Sequence, residues 1–211
     1  MNDIYTPAVE VVKYSFETAK PVHNAKFIIV LNGKGGVGKD TLVDFLRAKY
    51  NVAHESSITP IKQCAATIGY VGGKTMKDRK FLHDLKELVV EYNNYPTVYL
   101  KKVVEDFMND NKNNFLFIDI REVEEIKRFI ETIRYKVYTL LITRKEIDET
   151  VYGNKADDDV ANYDYDMVYA NDYPYHTAKY DFITFIDKFF DIGNNYMRNP
   201  ITKELAPIVK F

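Results

Sequence analysis

The sequence predicts an α/β fold of three layers, with helices covering both faces of a five-stranded, mostly parallel sheet. Three observations carry that expectation. Five short apolar runs of β type alternate with segments whose apolar residues recur at helical spacing. Two of the runs, "FIIVL" (27–31) and "FLFI" (115–118), are apolar at consecutive positions, as central strands buried on both faces must be. Strand–helix alternation in turn implies parallel pairing through right-handed crossovers.

The elements follow in order. "KFIIVL" (26–31) leads into a helical pattern at Leu42, Val43, Leu46 and Tyr50. "NVAHE" (51–55) precedes two helical patterns, Phe81, Leu82, Leu85, Leu88, Val89 and then Leu100, Val103, Val104, Phe107. "FLFID" (115–119) is followed by Val123, Ile126, Ile130 and Ile133. "KVYTLLI" (136–142) and "DMVYA" (166–170) complete the strands, and Phe182, Ile183, Ile186, Phe189 and Phe190 mark a last helix. Residues 1–25 read as an N-terminal extension in which 9–16, "VEVVKYSF", could add an edge strand; 26–192 form the domain, and 193–211 a tail laid over it. Ligands of parallel sheets sit at the carboxyl ends of the strands. That edge therefore gathers 33–41, 55–60, 119–121, 143–145 and 171–172.

Composition narrows the function classes. The 211 residues carry 29 basic and 31 acidic side chains, a net charge of −2, which offers no field for steering onto nucleic acid or an anionic membrane. One cysteine, Cys64, excludes an internal disulfide framework and suits a reducing compartment. The apolar runs are far shorter than a membrane span, and "MNDIYTPAVE" lacks the regions of a secretory signal. A cytoplasmic protein is expected, in the host cytoplasm if the source is viral. His23, His54, His83 and His176 are scattered without metal-ligand spacing.

The most specific signal is "GKGGVGKDT" (33–41), the G-x-x-x-x-G-K spacing of a phosphate-binding loop between a β run and a helix. Gly33, Gly35, Gly36, Val37 and Gly38 let backbone N–H groups curl around a phosphate; the helix N-terminus adds positive potential, and Lys39 reaches the β- and γ-phosphates. Asp40 stands where such loops usually carry a hydroxyl. Two readings are open: the carboxylate holds Mg²⁺, directly or through water, or it simply favours the first turn of its helix. Thr41 can supply a hydroxyl to the phosphates. Asp119, closing four apolar residues, has the Walker-B form that orients metal-bound water.

"GKGGVGKDT" with "LVDFL" resembles the opening of the phage-type deoxynucleoside monophosphate kinases, where G-K-D-T is the usual form of the loop. The resemblance implies a P-loop fold, with a small helical acceptor-binding region at about 56–112 and a short lid at about 144–164. It implies ATP and Mg²⁺ as cofactors, small nucleotides as partners, and transfer of a phosphoryl group to a (deoxy)nucleoside monophosphate. "DIREVEEI" is similar to that family's D-V-R segment and puts Arg121 opposite the acceptor phosphate; the plainer reading pairs Arg121 with Glu122, Glu124 and Glu125. Pro60, Ile61 and Lys62 fit a family turn, and "KDRKFLHDLKEL" resembles the family helix that carries an arginine, here Arg79, toward the acceptor; the plainer reading leaves Lys62 and Arg79 solvated on their helix faces. Arg144 matches a clamp on the donor or the moving phosphoryl, and Asn171 of "YDMVYAND" a closure beside the donor base. The acidic run Asp157, Asp158 and Asp159 reads as a solvated turn.

Two other resemblances compete. "KGGVGK" is similar to the loop of partition-type ATPases, in which Lys34 would reach across a homodimer and nucleotide would act as a switch. Phosphomevalonate kinases of animals use a similar G-K-D, which would make the chain another small-molecule kinase.

Overall fold

A computed structural model describes residues 25–73, 75–148, 159–192, 196–198 and 205–207. The strand expected at 9–16 and the acidic run 157–158 lie outside these residues, as do most of the 193–211 tail and 149–158 of the lid.

Five parallel strands form the sheet: β1 (Phe27–Asn32), β2 (Val52–Ser56), β3 (Phe115–Asp119), β4 (Val137–Thr143) and β5 (Met167–Ala170), in the spatial order β2-β3-β1-β4-β5. Each of the five strands expected between residues 26 and 170 is present within one residue of its expected start. β1 lies at the centre and is buried at every position; β3 beside it is buried at all but Asp119. The register aligns Leu31 with Asp119, and Ser56 with Asp119 on the other side. The ends of β1, β2 and β3 are therefore level.

The helices are α1 (Lys39–Leu46), α2 (Thr59–Thr67), α3 (Met76–Asn93), α4 (Tyr95–Asn109), α5 (Val123–Thr132), α6 (Lys145–Asp148) and α7 (Tyr175–Phe190). Because neighbouring residues of a strand face opposite ways, β1 feeds two cores. Phe27, Ile29 and Leu31 pack with Leu42, Phe45 and Leu46 of α1 and Phe182, Ile186 and Phe190 of α7. Ile28 and Val30 pack with Leu100, Val104 and Phe107 of α4 and Ile126 and Phe129 of α5. This is the three-layer α/β P-loop fold. The short strands β6 (Tyr196–Arg198) and β7 (Leu205–Pro207) pair antiparallel as a separate two-stranded sheet.

Two local devices shape the helical region beyond β2. Thr75 and Asp78 form a reciprocal capping box: Thr75 Oγ1 accepts from the Asp78 N–H at 3.2 Å and Asp78 Oδ2 accepts from the Thr75 N–H at 3.0 Å. Pro96 occupies the first turn of α4, where its missing N–H costs nothing. Lys86 ties α3 to the start of α5. Its ammonium donates to Glu122 Oε1 and Glu125 Oε2, both at 2.8 Å, and its side chain is 9% exposed against 2% for Glu125. Glu122 and Glu125 thus serve Lys86, and Glu124 pairs with Lys127 at 2.9 Å.

Lys86→Ala strands a buried carboxylate and is expected to cost about 3–5 kcal/mol of stability, read from chemical denaturation. A melt matching the wild type would show the clamp to be energetically idle. Acid acts on the same contact. Burial works to raise the Glu122 pKa, but the charge and hydrogen bond of Lys86 outweigh it and leave it lowered. Its contribution is therefore complete above the ordinary glutamate value and is lost as pH falls through the lowered one. In Lys86→Ala that acid-side loss of stability should be blunted.

Candidate functional site

The glycine loop joins β1 to α1 at the level carboxyl edge of the sheet. Gly33, Gly36 and Gly38 take φ values of +144°, +88° and +94°, which L side chains rarely adopt. Gly38 is the N-cap of α1, and no side chain caps that terminus. Lys39 folds back over the loop: Nζ donates to the Gly33 carbonyl at 2.5 Å and the Lys34 carbonyl at 3.1 Å. Its ammonium thus sits over the ring of backbone that would surround a phosphate.

Two asparagines brace the loop, and their roles come from tertiary contacts. Asn32 is fully buried; its Oδ1 accepts from the Gly33 N–H at 2.8 Å, while Nδ2 donates to the Arg121 carbonyl at 3.0 Å and the Tyr165 hydroxyl at 2.7 Å. Tyr165 donates its own proton to the Val160 carbonyl at 2.8 Å. Burial pushes the Tyr165 pKa up to about 12, so the phenol stays neutral and both bonds persist at physiological pH. Asn171, expected beside a donor base, donates from Nδ2 to the Val37 carbonyl at 2.8 Å, and its backbone N–H binds the Thr143 carbonyl at 2.8 Å. Here its side chain holds the loop.

The acidic part of the site is assembled from three elements. Asp40 stands in the first turn of α1, Asp119 ends β3, and His54 lies on β2, the neighbour of β3. One ligand atom from each lies within 4.8 Å of the other two. His54 Nε2 is 3.0 Å from Asp119 Oδ2. Asp119 Oδ1 is buried and has no hydrogen-bond partner among the described residues. An orphaned buried carboxylate oxygen beside a second carboxylate is what a divalent cation would satisfy, so the residues fit Mg²⁺ held by Asp40 and Asp119. His54 was scattered from these residues in the sequence and adjoins them in the fold, which corrects the reading of unconnected histidines. Burial works to lower the His54 pKa, but the Asp119 hydrogen bond and charge, with the charge of Asp40, prevail and raise it. The local field therefore favours positive charge at this point.

The remaining candidates spread outward from this centre. Arg121 is exposed just before α5, its carbonyl tied to Asn32. Arg144 follows β4 and pairs with Glu146 at 2.9 Å. Thr41 is exposed on α1, and Lys62 and Arg79 are exposed on α2 and α3. Glu55, one residue beyond His54, ties β2 to the helical region: it accepts from Thr59 Oγ1 and, at 2.9 Å, from the Tyr99 hydroxyl of α4.

No protein-family model matches the chain, and no curated protein matches it. Among solved structures, an unliganded sugar kinase from Janibacter sp. HTCC2649 is similar at 13% identity with a TM-score of 0.42, over 80% of this chain and 96% of that one. A likeness at that level carries no functional argument. Among the described residues no helix is long and apolar enough to cross a membrane.

Proposed function

We propose that the chain is an ATP-dependent phosphotransferase whose acceptor is a nucleoside or deoxynucleoside monophosphate. The observation that carries the reading is the meeting, at one sheet edge, of a glycine loop closed by Lys39 with the Asp40–Asp119 carboxylate pair. Phosphoryl transfer of this type depends on positioning and charge neutralisation, without a covalent enzyme intermediate. The loop and Lys39 bind the donor phosphates, and the hydrogen bonds of Asn32 and Asn171 brace the loop. Asp40 and Asp119 would hold Mg²⁺, which when bound neutralises phosphate charge. Arg121 binds the acceptor phosphate, with Lys62 and Arg79 on the helical region beside it, and Arg144 covers the charge of the moving group. The domain limits 26–192, the acceptor region 56–112 and the lid 144–164 belong to this reading.

The test is ADP release measured with ATP and Mg²⁺ against a panel of ribo- and deoxynucleoside monophosphates, and without acceptor. Turnover that requires a monophosphate supports the proposal. Acceptor-independent turnover accompanied by dimerisation through Lys34 would turn it into a switch ATPase. Turnover with another phosphate ester alone would make it a different small-molecule kinase. Within the proposal, Arg121→Ala should raise acceptor KM and lower kcat while ATP affinity is kept; an unchanged acceptor profile would remove Arg121 from the site.

A further inference from the structure

We infer that His54 is a third ligand of the loop's cation, and that the site accordingly prefers a first-row transition ion such as Mn²⁺ to Mg²⁺. The inference deepens the donor-site reading above, and rests on it for what the ion would do, not for whether the ion binds.

Three observations point the same way. The donor atoms of Asp40, His54 and Asp119 converge within 4.8 Å from three separate elements. His54 Nε2 and Asp119 Oδ2 are 3.0 Å apart, and adjacent corners of an octahedron with bonds of about 2.1 Å are separated by about 3.0 Å. One cation can therefore replace the shared proton with little movement of either side chain. Asp119 Oδ1, buried and unpartnered among the described residues, gives the carboxylate a further oxygen for an ion or its water.

The fold also explains why the imidazole reaches this point. β2 sits beside β3 with His54 opposite Phe117 and Ser56 opposite Asp119, so His54 and Asp119 stand on adjacent strands two residues out of step. Residues two apart share a face of a sheet, which turns both side chains the same way. The His54 side chain is 15% exposed and that of Asp119 is 19%, so both are held by their surroundings.

The ligand set decides the ion. Mg²⁺ takes oxygen ligands and gives up water reluctantly, so an imidazole adds little to its binding. Nitrogen ligation strengthens binding along the first-row series, and a site of two carboxylates and one imidazole suits Mn²⁺ and the ions after it better than Mg²⁺.

The experiment uses the full chain without nucleotide. Mn²⁺ is titrated by electron paramagnetic resonance, Mg²⁺ is added as competitor, and pulsed spectra are searched for nitrogen-14 coupling from a directly bound imidazole. The expected result is saturable Mn²⁺ binding with nitrogen coupling, at least about tenfold tighter than Mg²⁺. His54→Ala should abolish the coupling and weaken Mn²⁺ by about tenfold or more, since even partners of a metal ligand are worth that much. Absence of nitrogen coupling in the Mn²⁺-loaded wild type overturns the inference, and needs no variant to be folded. Equal Mn²⁺ affinity in the wild type and in a folded His54→Gln overturns it as well. The outcomes separate from those of the transfer assay. Nitrogen-coupled Mn²⁺ without phosphoryl transfer keeps His54 as ligand and removes the kinase reading; transfer without coupling does the reverse.

Discussion

Lys39→Ala is expected to lower kcat for phosphoryl transfer by about two to three powers of ten, the loss that follows removal of one preorganised charge from a reacting group. The lysine holds the Gly33 and Lys34 carbonyls in the folded chain, at 2.5 Å and 3.1 Å. Those two acceptors keep its ammonium over the loop before any nucleotide arrives, so the positive charge needs no reorganisation during transfer. Stability should change far less, because Lys39 is half-buried at the start of α1 while the helix is anchored by Leu42, Val43, Phe45 and Leu46. Single-turnover kinetics beside a thermal melt separate the two effects. Full activity in the variant would mean that donor phosphates bind elsewhere.

Gly33→Ala should fail differently, in both folding and nucleotide binding. At φ +144° an alanine is strained whatever the space around it, at a cost of about 1–3 kcal/mol. Space is absent too: a Cβ there would overlap the Ile142 carbonyl oxygen and lie 3.0 Å from Val37 Cγ2. The first neighbour is backbone of β4, which pairs with β1 along five residues and cannot retreat without opening the sheet. Each kcal/mol should lower Tm by about 2–4 °C in a domain of this size. ATP affinity should be lost with the loop's shape. Gly69→Ala is the control, since Gly69 has φ +94° but nothing within 4 Å of the point its methyl would occupy. It carries the conformational cost alone. If Gly33→Ala melts no lower than Gly69→Ala and still binds ATP, the loop is not a rigid cradle.

Both variants strike residues that the sequence already marked. The G-x-x-x-x-G-K spacing names its own lysine and glycines, because a phosphate cradle is built within nine consecutive residues. The five strands were equally legible. Burial on two faces writes an unbroken apolar run into β1 and β3, and a helix writes a 3.6-residue period into α4 and α5. Those are short-range signals, fixed by each residue's own neighbours in the chain.

His54 shows where such signals stop. It meets Asp119 across 65 positions, and nothing near either residue announces the contact. The meeting follows from strand order: β3 inserts between β1 and β2, which makes β2 and β3 neighbours although three helices, α2, α3 and α4, separate them in the chain. Asn32 with Tyr165, Lys86 with Glu122 and Glu125, and Asn171 with Val37 have the same character. Asn171 is instructive because its motif was visible and its contact was not: the end of β5 points its amide at the loop carbonyl only because β4 lies between β5 and β1.

The sequence alone thus determined the layers, the strands and the glycine loop between β1 and α1, since periodicity and turn chemistry are properties of neighbouring residues. Only the tertiary structure decided which carboxylates, amides and imidazole surround that loop. Those contacts depend on the order in which strands line up, and strand order is settled by burying both faces of the sheet at once.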